Sequence, residues 1–196
     1  METVASAPTG LPFGRPLTVE DLETMPEDGH RYELLDGTLL VTPAPGWSHQ
    51  SVQMALAELL RRACPRELRV VAAPFEWRLG RRTALQPDVL VARYAALAAV
   101  PQGKYLAEPP LLAVEVLSPS TRRIDLLAKR SAYEDAGVAS YWLVDPDPGE
   151  PSLTALDLEA GRYVERAMIR GRDTWRAAWP FLIDIRPDDL VTDLRP

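Results

Sequence analysis

Leu111-Leu112-Ala113-Val114-Glu115-Val116-Leu117 is an almost wholly apolar run with one charge in it. Apolar residues at both alternations mark a strand covered on both faces. An ionised carboxylate there is very costly unless something compensates it, so Glu115 requires a partner. Gln86-Pro87-Asp88-Val89-Leu90-Val91 gives Asp88 the same strand setting. Two carboxylates converging from neighbouring core strands would form an oxygen site for a divalent cation.

Downstream, Ser118-Pro119-Ser120-Thr121 closes the strand and residues 122–136 read as a helix. Ile124, Leu127 and Ala128 supply part of its apolar face and Gly137 stops it. Residues 140–145 then return as a strand. A strand, a helix and a strand in that order favour a right-handed crossover with parallel pairing, which sets the helix start beside the end of the Glu115 strand. Asp125, Lys129 and Tyr133 recur at intervals of four along that helix and so share one stripe. A lysine there could orient or help deprotonate a water and offset charge developing on a phosphate. Two acids, a lysine and a metal suffice for phosphodiester hydrolysis.

Upstream, residues 31–35 and 38–42 are apolar-rich runs joined at Asp36-Gly37, a strong tight-hairpin signal. Glu33 rides on the first strand. After Pro43-Ala44-Pro45-Gly46, Ser48 is placed to cap a helix reaching about Ala63, with Val52, Leu56, Leu59 and Leu60 on one side. His49 and Gln53 share a face near its N-terminus, where free amides favour anions. Residues 68–72 and 75–79 read as strands and 94–99 as a short helix before a proline-rich loop. Residues 152–158, 162–168 and 175–185 read as short antiparallel strands. Thr18 caps a short helix through Met25. Residues 1–16, punctuated by proline and glycine, are expected to form an irregular arm, and 17–196 a single domain without internal repeats.

The length of 196 residues, with 46% hydrophobic and 26% charged residues, fits one ordinary globular domain. A net charge of −6 argues against a broad basic surface for nucleic acid, so any such contact is expected to be local. Cys64 is the sole cysteine, which excludes an intrachain disulfide and fits a reducing compartment. No signal-peptide pattern and no long apolar run is present, so a cytoplasmic location without membrane partners is expected. Only His30 accompanies His49, too few histidines at ligand spacing for a zinc site. Neither a Walker loop nor a dinucleotide fingerprint occurs.

These motifs together resemble the PD-(D/E)XK nuclease superfamily, whose signature Pro-Asp matches Pro87-Asp88 and whose acidic strand matches Glu115-Val116. The departure is Leu117, which stands where the signature has lysine. Some branches place that lysine on the following helix, a role suited to Lys129. More narrowly, the chain resembles the Uma family of endonucleases. The matching stretches are Tyr32-Glu33-Leu34-Leu35-Asp36-Gly37, His49, Pro87-Asp88, Glu115-Val116-Leu117-Ser118-Pro119-Ser120-Thr121, then Asp125, Lys129 and Tyr133, then Gly137-Val138 and Tyr141-Trp142-Leu143-Val144-Asp145. The resemblance implies an α/β, restriction-endonuclease-like mixed sheet flanked by helices, with additional antiparallel strands. It implies magnesium, or manganese in its place, held by Asp88 and Glu115 with Glu33 assisting.

Function then reads as hydrolysis of nucleic acid, DNA first, with Asp88, Glu115 and Lys129 catalytic. His49 is expected to contact a phosphate. Gln53, Ser118, Asp125 and Tyr133 serve as support. The alternative is a catalytically inactive nuclease scaffold that binds nucleic acid or protein, with Leu117 marking the lost lysine. A third reading, paired-carboxylate chemistry on a sugar, needs no metal. The strand-rich C-terminal part and five tryptophans leave room for a homodimer.

Overall fold

The computed structural model describes residues 14–195. The arm expected over 1–16 therefore lies largely outside the described residues, and 14–16 are neither helix nor strand.

In chain order the strands are β1 (His30–Leu35), β2 (Thr38–Pro43), β3 (Leu68–Ala72), β4 (Glu76–Arg78), β5 (Ala84–Leu85), β6 (Val89–Arg93), β7 (Tyr105–Leu106), β8 (Leu112–Val116), β9 (Ser140–Asp145), β10 (Ser152–Glu159), β11 (Arg162–Arg170), β12 (Trp175–Ala177) and β13 (Ile183–Ile185). The α-helices are α1 (Val19–Leu22), α2 (Trp47–Ala63), α3 (Tyr94–Ala99), α4 (Arg130–Asp135) and α5 (Pro187–Leu190), and a π-helical segment, Ile124–Lys129, runs directly into α4. The main sheet has the order β11-β10-β9-β8-β6-β3, a second sheet runs β2-β1-β5-β4-β7, and β12 pairs with β13. Only β8 and β9 are parallel within the main sheet, as the strand-helix-strand order requires.

β8 is central and covered on both faces. Leu112, Val114 and Val116 pack with Val52, Leu56 and Leu60 of α2, while Ala113 and Leu117 pack with Trp77, Leu90, Tyr133 and Tyr141. Each such fully buried aliphatic contributes about 1.5–3 kcal/mol. An unpaired carboxylate buried among them would cost several kcal/mol, enough to cancel two or three of those side chains. Alternation along the strand turns Glu115 toward the second cluster, where its partners lie.

The Asp36-Gly37 turn has positive φ at both residues, 45° and 80°, the twist that suits a two-residue hairpin. A Cβ at Gly37 would meet Pro16 Cβ at 2.4 Å, so the chain before α1 crosses close over this turn.

Several local expectations are corrected. Gly46, with extended backbone, is the N-cap of α2, so Ser48 falls inside the first turn. Asp88 stands at a bend one residue ahead of β6. The stretch 175–185 is two short strands, β12 and β13, with Pro180 between them. On the helix after β8 the inward side carries Asp125, Lys129 and Tyr133, whereas Leu127 is 64% exposed and Leu126, Ala132 and Ala136 flank the buried stripe. Apolar patterning fails here because this helix faces charges, not only hydrocarbon.

Candidate active site

β6 and β8 are antiparallel with Val89 opposite Val114. Continuing that register by one residue sets Asp88 opposite Glu115, and opposed residues of an antiparallel pair project from one face. The backbone closes the arrangement, since the amide of Val116 donates to Asp88 Oδ2 at 2.8 Å. Both acids are 1% exposed.

The helix after β8 supplies the cation. Lys129 Nζ lies 3.0 Å from Glu115 Oε1, 3.0 Å from Glu33 Oε1 and 3.8 Å from Asp125 Oδ1. Tyr133 donates to the same Glu115 oxygen at 2.6 Å. Bonding of the i→i+5 kind widens the turn over residues 124–129, which helps keep positions four apart facing the sheet; π-helical turns recur at functional sites. Glu33 arrives on β1 and also accepts from the Gln86 amide at 2.8 Å.

Asp88 is held from three further sides. Arg31 Nη1 donates to Oδ1 at 2.9 Å, His49 Nε2 lies 3.1 Å from Oδ2, and Gln53 Nε2 donates to the Asp88 carbonyl at 2.9 Å. His49, expected to face an anion, therefore meets an acid of the protein, while its Nδ1 is buried without a partner among the described residues. Ser118 lies outside the cluster, bonded to Thr121 and Ser120 at the turn after β8. Sequence reasoning missed Arg31. The available signal was its place two residues before Glu33, since alternate residues of a strand share a face.

Charge in this pocket is unbalanced, with Glu33, Asp88, Glu115 and Asp125 against the permanent cations Arg31 and Lys129. Burial pushes the Glu115 carboxyl up to about 8; Lys129 opposes the rise, and Asp88, Asp125 and Glu33 add to it. Burial also acts to raise Asp88, but His49, Arg31 and the Val116 amide outweigh it and bring it down to about 2. Burial would lower Lys129, yet Glu115, Glu33 and Asp125 overcome that and raise it. The two sides of the Lys129–Glu115 pair thus differ. Three acids hold Lys129 in its charged form, and burial holds the Glu115 carboxyl above the usual carboxylate range.

An all-oxygen donor set with surplus negative charge suits a hard divalent cation. Glu115 Oε2 makes no hydrogen bond among the described residues, in contrast to Oε1. No three His, Cys, Asp or Glu side chains among the described residues are gathered tightly enough to enclose an ion. The cluster is closed to solvent. A groove of about 1300 Å³ beside α2 is lined by Arg31, Gln53 and Gln86 but not by Asp88, Glu115, Glu33 or Lys129. Among the described residues no helix is long and apolar enough to cross a membrane.

A solved structure from Anabaena variabilis, described as a "putative nuclease belonging to DUF820", superposes with a TM-score of 0.72 at 17% identity, covering 92% of this chain and all of that one. At that identity the likeness shows the fold alone, a mixed α/β architecture with sheets flanked by helices. No curated protein matches the chain. The Uma2 family model, described as "Putative restriction endonuclease", matches residues 19–184, a span that holds β1, the Asp88 bend, β8 and the helix with Lys129, and the chain belongs to that family.

Proposed function

We propose that the chain is a metal-dependent endonuclease that hydrolyses phosphodiester bonds of DNA, with its site at Asp88, Glu115, Glu33 and Lys129 within a single domain spanning 17–196. The observation that carries this reading is the closeness of both acids at β8, where the Val116 amide donates to Asp88 Oδ2 at 2.8 Å and Lys129 Nζ lies 3.0 Å from Glu115. Family membership supports nuclease activity. Asp88 and Glu115 would hold the ion, with Glu33 assisting. A bound divalent cation supplies Lewis-acid polarisation of the phosphate and a more acidic water.

In hydrolysis, water oxygen bonds to phosphorus and the bond from phosphorus to one sugar oxygen breaks, leaving a phosphomonoester and a hydroxyl. Lys129 offsets the charge that develops on the phosphoryl oxygens, which a preorganised cation in a dry site does effectively. Tyr133 and Asp125 fix Glu115 and Lys129. His49, Gln53 and the Val116 amide fix Asp88. Ser118 shapes the turn that leads into the lysine-bearing helix.

The test is cleavage of plasmid and oligonucleotide panels with magnesium or manganese. Glu115→Ala is expected to lower the rate by about a hundredfold or more, as loss of a centrally placed polar group does. Cleavage that survives this change removes the assigned site. The deep burial of all four acids favours one other reading, an inactive scaffold. Manganese binding that Asp88→Asn abolishes, with no cleavage of any panel member, would establish it.

A further inference from the structure

Arg31 belongs to the acid cluster, yet the hydrolysis described above makes no use of it. Its side chain is 15% exposed, against 1–3% for Glu33, Asp88, Glu115 and Lys129. Among these charged groups it alone lines the groove beside α2, so it stands between that groove and the buried acids. Its Nη1 is the one hydrogen-bond donor on Asp88 Oδ1 among the described residues, at 2.9 Å, and its Nε lies 3.7 Å from Glu33 Oε2, which accepts no hydrogen bond there. It is anchored besides by the Gln86 carbonyl at 3.3 Å and Thr42 Oγ1 at 3.5 Å.

Asp88 Oδ2 and Glu33 Oε1 are already engaged, so Asp88 Oδ1 and Glu33 Oε2 are the oxygens that Asp88 and the assisting Glu33 would offer to a cation held by Asp88 and Glu115. A guanidinium and a metal ion compete for them, because both are positive and would stand against the same two oxygens. Arg31 displaced from them remains tethered to β1 in the groove wall. A guanidinium is always charged, and its planar fork matches the oxygens of a phosphate.

We propose that Arg31 is an exchangeable counter-ion: it covers the acidic oxygens in the metal-free protein and moves to a phosphate of the nucleic acid once a divalent cation occupies them. This rests on the proposed metal-dependent reading of the site. It follows that metal and nucleic acid strengthen each other's binding, and linkage makes the effect reciprocal. The acids are thereby kept from loose metal uptake until a phosphate arrives in the groove.

The experiment titrates manganese into the full chain without nucleic acid, following free ion by electron paramagnetic resonance. Wild type, Asp88→Asn, Arg31→Gln and Arg31→Lys are compared, with folding checked by thermal melting. Arg31→Gln is expected to tighten manganese binding by on the order of tenfold, a typical coupling, and Asp88→Asn to weaken it. In parallel, affinity for a short duplex is measured by fluorescence anisotropy with and without calcium. Wild type should gain from calcium and Arg31→Gln should not. Arg31→Lys, which keeps the charge without the fork, should bind manganese like wild type yet lose most of the duplex gain, and it carries the test if Arg31→Gln fails to fold. Unchanged or weaker manganese binding by folded Arg31→Gln, with Asp88→Asn still weakening it, overturns the counter-ion role and leaves the nuclease reading intact. A calcium gain retained in Arg31→Gln, or in Arg31→Lys where that variant carries the test, overturns the transfer to phosphate. Manganese binding indifferent to Asp88→Asn overturns the metal site itself.

Discussion

Glu115 is stabilised through one oxygen, which takes both the Lys129 ammonium and the Tyr133 hydroxyl. Tyr133→Phe deletes the donor while preserving shape. Leaving a buried acceptor short of a partner costs about 1–3 kcal/mol, so a corresponding loss of stability is expected in denaturant melts, together with a drop in cleavage. The same residue sets a pH dependence. Its folded carboxyl is raised from 4.5 to about 8, so the folded chain keeps a proton that the unfolded chain releases. That contribution to stability is fully present below about pH 4.5 and is lost as pH rises through about 8. Asp88, lowered from 3.8 to about 2, acts in reverse, stabilising above about pH 4 and losing that effect as pH falls through about 2. Metal-free wild type should therefore be less stable near pH 8.5 than near pH 5.5, and Glu115→Gln should flatten that difference in denaturation midpoints. An unchanged slope in Glu115→Gln would place the titration elsewhere.

The helix after β8 carries the lysine of the site and the first hairpin its arginine and Glu33. The phase of that helix is testable by paired substitution. Leu127, exposed, should accept lysine within about 0.5 kcal/mol, whereas Leu126→Lys should cost about 1–3 kcal/mol because it forces charge against the second core cluster. Gly37→Ala should lower the melting temperature, since φ there is +80° and the added carbon would collide with Pro16. These elements also show what was legible in sequence. The Asp36-Gly37 hairpin and β8 were readable because turn chemistry and a doubly apolar strand are local signals. On 124–135 the stripe of Asp125, Lys129 and Tyr133 was readable from its spacing of four, whereas apolar patterning put Leu127 on the buried side although it is 64% exposed, because the sheet presents carboxylates there. The α2 N-cap stands at Gly46, whose extended backbone opens the helix two residues ahead of Ser48.

Across the whole molecule, charge and topology pull in different directions. With a net charge of −6, few phosphates can be neutralised at once. The dependence of duplex affinity on salt should therefore be shallow, with a log-log slope no steeper than about −4, which corresponds to roughly four phosphate contacts. A much steeper slope would reveal a basic surface outside the proposed site. Strand order placed Lys129 near Glu115 through the parallel β8–β9 crossover, while the antiparallel β6–β8 pairing that brings Asp88 alongside is a long-range register that sequence order does not state. The seal over it could not, since Arg31 and His49 reach Asp88 from 57 and 39 residues away in sequence. The most direct test of the account is anomalous diffraction from crystals soaked in manganese. The account predicts a peak bounded by the Asp88 and Glu115 carboxylates that disappears in Asp88→Asn, whereas a manganese-dependent nuclease with no peak there, or with its peak at other residues, would contradict it.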